Sequence, residues 1–300
     1  MNPQLSEAFR RDVVCPFCKT DLEWGVDECS CDDCGSIFVR RDATWDFVPQ
    51  YPGFLQHVLH DWEHGQREYE EWDASLRDDL QEHIEGIEGV QEVYTREFRL
   101  RGRVLDVGGH QGRLRHFLPV DSEYLSVDPY VAGFKLLPRL SNLLKAYPRL
   151  AEPCEFIRGV AERLPLRASA FDYVHMRSVL DHFYDPLLAL HEARRVLRPG
   201  GGLLIGLYVR GGASSIPDAG GARLLVARLR KKTRDEGLVN TGRAIIRRLF
   251  GSADHDEHIW HPTYQDLLDL LEAAHFRIEK VHWQKPPNDH VVYILGRKSS

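Results

Sequence analysis

The residues best placed to do chemistry are cysteines. Five of the six lie between positions 15 and 34: Cys15, Cys18, Cys29, Cys31 and Cys34, with Cys154 alone elsewhere. Cys15-Pro-Phe-Cys18 and Cys31-Asp-Asp-Cys34 are two Cys-x-x-Cys turns separated by twelve residues. Each turn aims two thiolates at one point, and together they make the tetrahedral four-sulfur set that suits zinc. Four protein ligands leave no open position, so the spacing predicts a structural ion and not a catalytic one. Cys29 breaks the two-residue spacing and is left outside the set. Such clustering fits metal better than disulfides in a reducing compartment.

A second group begins at Val104-Leu105-Asp106-Val107-Gly108-Gly109-His110-Gln111-Gly112. Glycines after a short apolar run let a strand turn sharply and bring bare backbone against a ligand. Leu125-Ser126-Val127-Asp128 follows, with Pro129 next. An acid at the end of a second strand can accept hydrogen bonds from both hydroxyls of a ribose, although Asp also commonly caps a following helix.

Three further pieces complete a pattern: Gly159-Val-Ala161-Glu162-Arg-Leu-Pro165-Leu with Phe171-Asp172, then Val179-Leu-Asp181-His182 with Asp185-Pro186, then Arg195-Val-Leu-Arg-Pro199-Gly200-Gly201. In this order and spacing the chain resembles the class I S-adenosylmethionine-dependent methyltransferases, over about residues 103–209 and again over 258–298, closest to the small-molecule branch. The resemblance implies that Asp106 and the turn Gly108, Gly109, His110 and Gly112 face the methionine part of the cofactor. Asp128 and Pro129 would hold the ribose, Ala161 and Glu162 would border the adenine, and Arg177 with Ser178 would stand near the sulfonium and the substrate cleft. His110 stands where the family usually has glycine, and Val160 where it often has an acid.

For a base, the resemblance points to His182, His258 and His261 at loops above the sheet; His175 sits near a strand end. Histidine is the side chain suited to that work near neutral pH. Asp181-His182 also resembles a metal-binding pair of some quinone-type relatives, but Ser178 stands where their extra acid would be, so no second metal is expected. A dinucleotide dehydrogenase would show Gly-x-Gly-x-x-Gly, which Gly108 and His110 do not provide. Residues 13–49 resemble the short zinc-ribbon family of methyltransferase activator subunits, which implies a ribbon docked on a catalytic domain.

These groups need a frame to hold them. The apolar runs Val104–Val107, Tyr124–Val127, Phe156–Ile157, Phe171–Val174 and Leu203–Val209 alternate with helical or loop-like stretches. That alternation predicts an α/β fold with a parallel sheet covered on both faces. Leucines in 263–274 predict an amphipathic helix, and 277–285 with 290–298 predict a hairpin around Pro286-Pro-Asn-Asp289. The expected fold class is therefore α/β: a Rossmann-like seven-stranded methyltransferase sheet with an antiparallel last strand, plus a small N-terminal zinc ribbon. The expected domains are a ribbon over 1–50 with its own core, a helical cofactor-covering segment over 51–100, and a catalytic domain over 101–300 carrying a basic helical lid at 210–257.

The chain has 300 residues, 43% hydrophobic and 28% charged, which excludes disordered, collagen-like and coiled-coil classes. Its net charge of −6 argues against a nucleic-acid partner. Charge is uneven: residues 61–97 hold thirteen acids against three arginines, and 223–250 hold nine Lys and Arg against two acids. No run approaches the ~20 apolar residues of a membrane span, and no secretory signal is visible, so a cytoplasmic location is expected. The leading expectation is a methyltransferase that uses S-adenosyl-L-methionine, holds a structural Zn(2+), and acts on a small molecule such as a sugar, a quinone-like compound or a natural-product intermediate, anionic or carrier-bound. The alternatives are an rRNA or tRNA methyltransferase, a catalytically idle scaffold, and non-methyl chemistry on the same cofactor.

Overall fold

The computed structural model describes residues 3–41, 43–49, 78–215, 260–285 and 288–299. The N-terminal part contributes β1 (Pro3–Gln4), α1 (Glu7–Arg10), β2 (Glu23–Trp24), β3 (Glu28–Ser30), β4 (Ile37–Arg41) and β5 (Thr44–Asp46), the last four forming an antiparallel ribbon. Helix α2 (Leu80–Glu92) follows, capped by Asp79, whose side chain accepts the Glu82 amide.

The central strands are β6 (Arg103–Val107), β7 (Glu123–Asp128), β8 (Cys154–Arg158), β9 (Phe171–Arg177) and β10 (Leu197–Tyr208), all parallel. Two small helices, α3 (Ala132–Leu136) and α4 (Ser141–Ala146), lie between β7 and β8, and α5 (Pro186–Val196) joins β9 to β10. Proline at its first turn and the Asp185 carboxylate on the Leu188 amide start α5. Helix α6 (Tyr264–Ala273) opens with a reciprocal Thr263–Asp266 capping box. Strands β11 (Phe276–Trp283) and β12 (Val291–Lys298) end the fold as an antiparallel pair.

Strand order is β11-β12-β10-β9-β6-β7-β8, with β12 inserted antiparallel against β10. Order reverses between β6 and β9, where ligands of open α/β sheets bind beyond the carboxyl ends. Residues alternate between faces. Leu105, Val107, Val174 and Leu203 pack with α5 and α6, while Val104, Tyr124, Leu204 and Tyr293 pack with Val90, Val93 and Tyr94 on the other side.

The sheet does not stop at seven strands. Beyond β8 it continues through β5, β4, β3 and β2, and β1 also pairs with β8. The Phe47 amide bonds the Arg158 carbonyl at 2.8 Å, and Arg158 pairs with Asp46 at 2.6 Å. Phe38, Trp45 and Phe47 share one apolar cluster with Leu105, Val174 and Leu203. This corrects the expectation of a ribbon with its own separate core: four short strands cannot bury three large aromatic rings alone, and the edge of β8 offers them a surface. Lys19 reinforces the joint, bonding Glu192 at 2.6 Å and the Leu164 carbonyl at 3.1 Å.

The expected basic lid falls mostly on residues 216–259, and Trp62, Tyr69 and Trp72 of the expected covering helices fall within 50–77; both stretches lie outside the described residues. Among the described residues no helix is long and apolar enough to cross a membrane.

Candidate functional site

Cys15, Cys18, Cys31 and Cys34 bring their sulfurs within 4.8 Å of one another. The Cys15 and Cys34 sulfurs are 3.7 Å apart. A tetrahedron of sulfurs bound at about 2.3 Å from a central ion has edges of about 3.8 Å, so the cluster already has the dimensions of a zinc site. Bonds from Ser36 draw the Cys34 thiol down to about 6, toward the thiolate that a metal needs. Cys29 lies outside the group, and burial pushes its thiol up to about 12.

At the crest of β6 the chain turns at Gly108, with φ +69°, where a Cβ would come within 2.4 Å of Val179. Only glycine fits that approach. The Asp128 carboxylate, at the crest of β7, accepts the His110 amide at 2.9 Å and the Tyr130 amide at 2.7 Å. These bonds aim it beside the glycine turn.

His110 adopts φ +46°, the left-handed conformation that a glycine would take there without strain. Its ring stacks on Tyr130 at 4.9 Å and faces Gly133 of α3, where a Cβ would come within 2.1 Å of Nε2. Burial, with Arg113 nearby, pushes this imidazole down to about 3, so it stays neutral. The missing glycine at 110 is thus accommodated by a glycine at 133. Replacing Gly133 by alanine should displace the His110 ring and cost about 1–3 kcal/mol, read as a lower denaturation midpoint with unchanged slope.

Beneath the turn lies a buried polar chain. Asp106 is 3% exposed. Its Oδ1 lies 2.7 Å from His175 Nδ1, and its Oδ2 accepts the Tyr124 hydroxyl at 2.7 Å. His175 Nε2 lies 2.8 Å from the Tyr94 hydroxyl. Tyr293 neighbours Tyr94 and accepts Arg177 Nε at 3.0 Å. Burial holds the Tyr94 hydroxyl in its neutral form, raised well above the ordinary phenol value. Among the described residues no carboxylate pairs with the Arg177 guanidinium, which stands at the carboxyl end of β9.

Glu162 is also buried, at 2% exposure, and accepts the amide of Asp185 at the start of α5. Burial raises its carboxyl to about 8. The Trp260 indole donates to the Leu180 carbonyl at 3.2 Å, which brings the segments carrying His182 and His261 to the same rim. His182 Nε2 is 4.0 Å from Asp181 Oδ1, and His261 is exposed. His258 lies outside the described residues.

Residues 105–205 match the family described as a methyltransferase domain. Residues 105–205 form a methyltransferase-like domain. An uncharacterised methyltransferase of Schizosaccharomyces pombe is 33% identical over 106 residues, covering 33% of this chain and 37% of that one. A phthiotriol/phenolphthiotriol dimycocerosates methyltransferase of Mycobacterium ulcerans is 39% identical over 106 residues, covering 34% and 36%. The chain therefore spans well under half the length of these two curated relatives. Among solved structures, a 1,6-didemethyltoxoflavin-N1-methyltransferase of Burkholderia thailandensis has a TM-score of 0.48 at 15% identity, covering 92% of this chain and 100% of that one.

Within the methyltransferase domain, the expected cofactor residues separate into two sets. Gly108, Gly109, His110, Gly112, Asp128 and Pro129 gather on the adjoining crests of β6 and β7, with Arg177 at the end of β9. Asp106 has its carboxylate engaged by His175 and Tyr124, and Glu162 is turned to backbone amides, with Ala161 buried beside it. Tyr124, Tyr293 and Gly133 were not singled out for the site by sequence reasoning, whereas Tyr94 was expected within the cofactor-covering segment 51–100. A histidine between two buried apolar residues, Val174 and Met176, was the available signal, since His175 pairs in register with Asp106.

Proposed function

We propose that the methyltransferase domain binds S-adenosylmethionine at the crests of β6 and β7 and transfers its methyl group to a small molecule. The observation that carries this reading is the Asp128 carboxylate held beside the Gly108–Gly112 turn, an acceptor matched to ribose hydroxyls next to a close backbone approach. The bound cofactor would supply an electrophilic methyl; the protein would align it with the acceptor and remove the acceptor's proton. Asp128 would accept the ribose hydroxyls, the glycine turn would meet the methionine portion, and Arg177 would meet negative charge in the cleft. The small-molecule reading is supported by the named activity of the M. ulcerans relative. The four-cysteine cluster would hold one structural zinc ion per chain.

Titration calorimetry with S-adenosylmethionine and with S-adenosylhomocysteine tests the reading, and binding of neither would end it. Asp128→Ala should weaken both by about 1–3 kcal/mol, through loss of charge-assisted hydrogen bonds. An unchanged affinity in the folded variant would take Asp128 out of the site.

A further inference from the structure

We propose that Tyr94, His175 and Asp106 form the proton acceptor for a hydroxyl-bearing substrate whose acidic oxygen is held by Arg177. This rests on the methyl-transfer reading above. The geometry is that of a catalytic triad with tyrosine in the nucleophile's place. Asp106 accepts from His175 Nδ1, which leaves Nε2 as the acceptor of the Tyr94 hydroxyl. Tyr124 fixes the second oxygen of Asp106, so the carboxylate cannot swing away.

Among the described residues, the titratable and charged groups bonded to the imidazole or to its partners come from five elements. Asp106 comes from β6, Tyr124 from β7, Tyr94 from the turn after α2, Tyr293 from β12 and Arg177 from the end of β9, with Tyr147 adding its field at Arg177. A buried pair serving packing alone would be sealed on all sides. This one instead leads outward, from His175 through Tyr94 to Tyr293, and from Tyr293 to an arginine at the crest that has no carboxylate partner among the described residues.

In the step, the acceptor oxygen would bond the methyl carbon as that carbon's bond to the sulfonium sulfur breaks, and would give its proton to Tyr94 Oη. Tyr94 passes its own proton to His175 Nε2. The sulfonium leaves as a neutral thioether, and the positive charge ends on the imidazolium paired with Asp106. Water later removes that proton. Arg177 favours the developing oxyanion, so phenolic or enolic hydroxyls suit the site and tertiary amines, which carry no proton to lose, do not.

The test uses the full chain, zinc-loaded, with ring-labelled histidine, the His175 signals being identified by their loss in His175→Gln. Nuclear magnetic resonance should show His175 as the Nδ1–H tautomer. Its titration midpoint should lie lower by about half a pH unit or more in complex with S-adenosylmethionine than with S-adenosylhomocysteine, because a sulfonium beside the relay opposes the imidazolium. Tyr94→Phe should move the Nε2 resonance. An imidazole that ignores the sulfonium while both compounds bind overturns the relay and spares the transferase reading. An Nε2 resonance unmoved in Tyr94→Phe also overturns it. Binding of neither compound removes both proposals.

Discussion

Cys15→Ser should abolish zinc binding and lower the melting temperature of the whole chain by about 10 °C or more, in one transition. The reason is the shared core. Cys15 and Cys31 sit in the same apolar cluster as Phe47, Leu105 and Val174, so loosening the ribbon exposes the flank of the catalytic sheet. Structural zinc stabilises the folded state by many kcal/mol in isolated fingers, and loss of even ~3–5 kcal/mol here gives the stated shift. Cys29→Ser should keep its metal, because its sulfur is not in the cluster. Metal analysis and calorimetric melting of the two variants check this. Two separate transitions in Cys15→Ser would show that the ribbon melts alone, and zinc retained in Cys15→Ser but lost in Cys29→Ser would reverse the ligand assignment.

The second large effect is expected at Asp106. Alanine there strands the Tyr124 hydroxyl and the His175 imidazole in a closed interior, at a cost of about 3–5 kcal/mol. Asparagine keeps the shape and one acceptor oxygen, and should cost less than half as much. Urea unfolding of the two variants, followed by midpoint at constant slope, measures the difference. Equal losses would mean that the carboxylate charge, and neither the shape nor a single acceptor oxygen, governs the site.

Much of the frame was legible because it is written in short-range pattern. Runs such as Val104–Val107 and Leu203–Val209 are apolar but for Asp106, as strands covered on both faces must largely be, and proline and glycine punctuate them at Pro186 and Gly200. The cysteine cluster and Asp128 were legible for the same reason, each being defined by spacing along a few residues. The buried relay was not. Its members stand at positions 94, 106, 124, 175 and 293, brought together by strand register and by one turn folding over the sheet. No local periodicity distinguishes such residues from core tyrosines. The junction of ribbon and sheet was hidden likewise, since the ladder there rests on the single pair Asp46 and Arg158. His110 could be seen as a departure, but its remedy, Gly133, lies more than twenty residues on and across a strand.

The continuation of the sheet into the ribbon also bears on solubility. An open sheet ends in a row of unpaired amides and carbonyls that invites a second chain. On the β8 side that row is taken up by β1 and β5, and the free edge is moved outward to β2, only two residues long. The ribbon is in this sense an edge protector. A chain begun at residue 101 would bare β8 along its whole length, with Phe156 and Ile157 in the exposed strand. Such a fragment should associate edge to edge and leave solution as oligomers, even where its catalytic crest is intact.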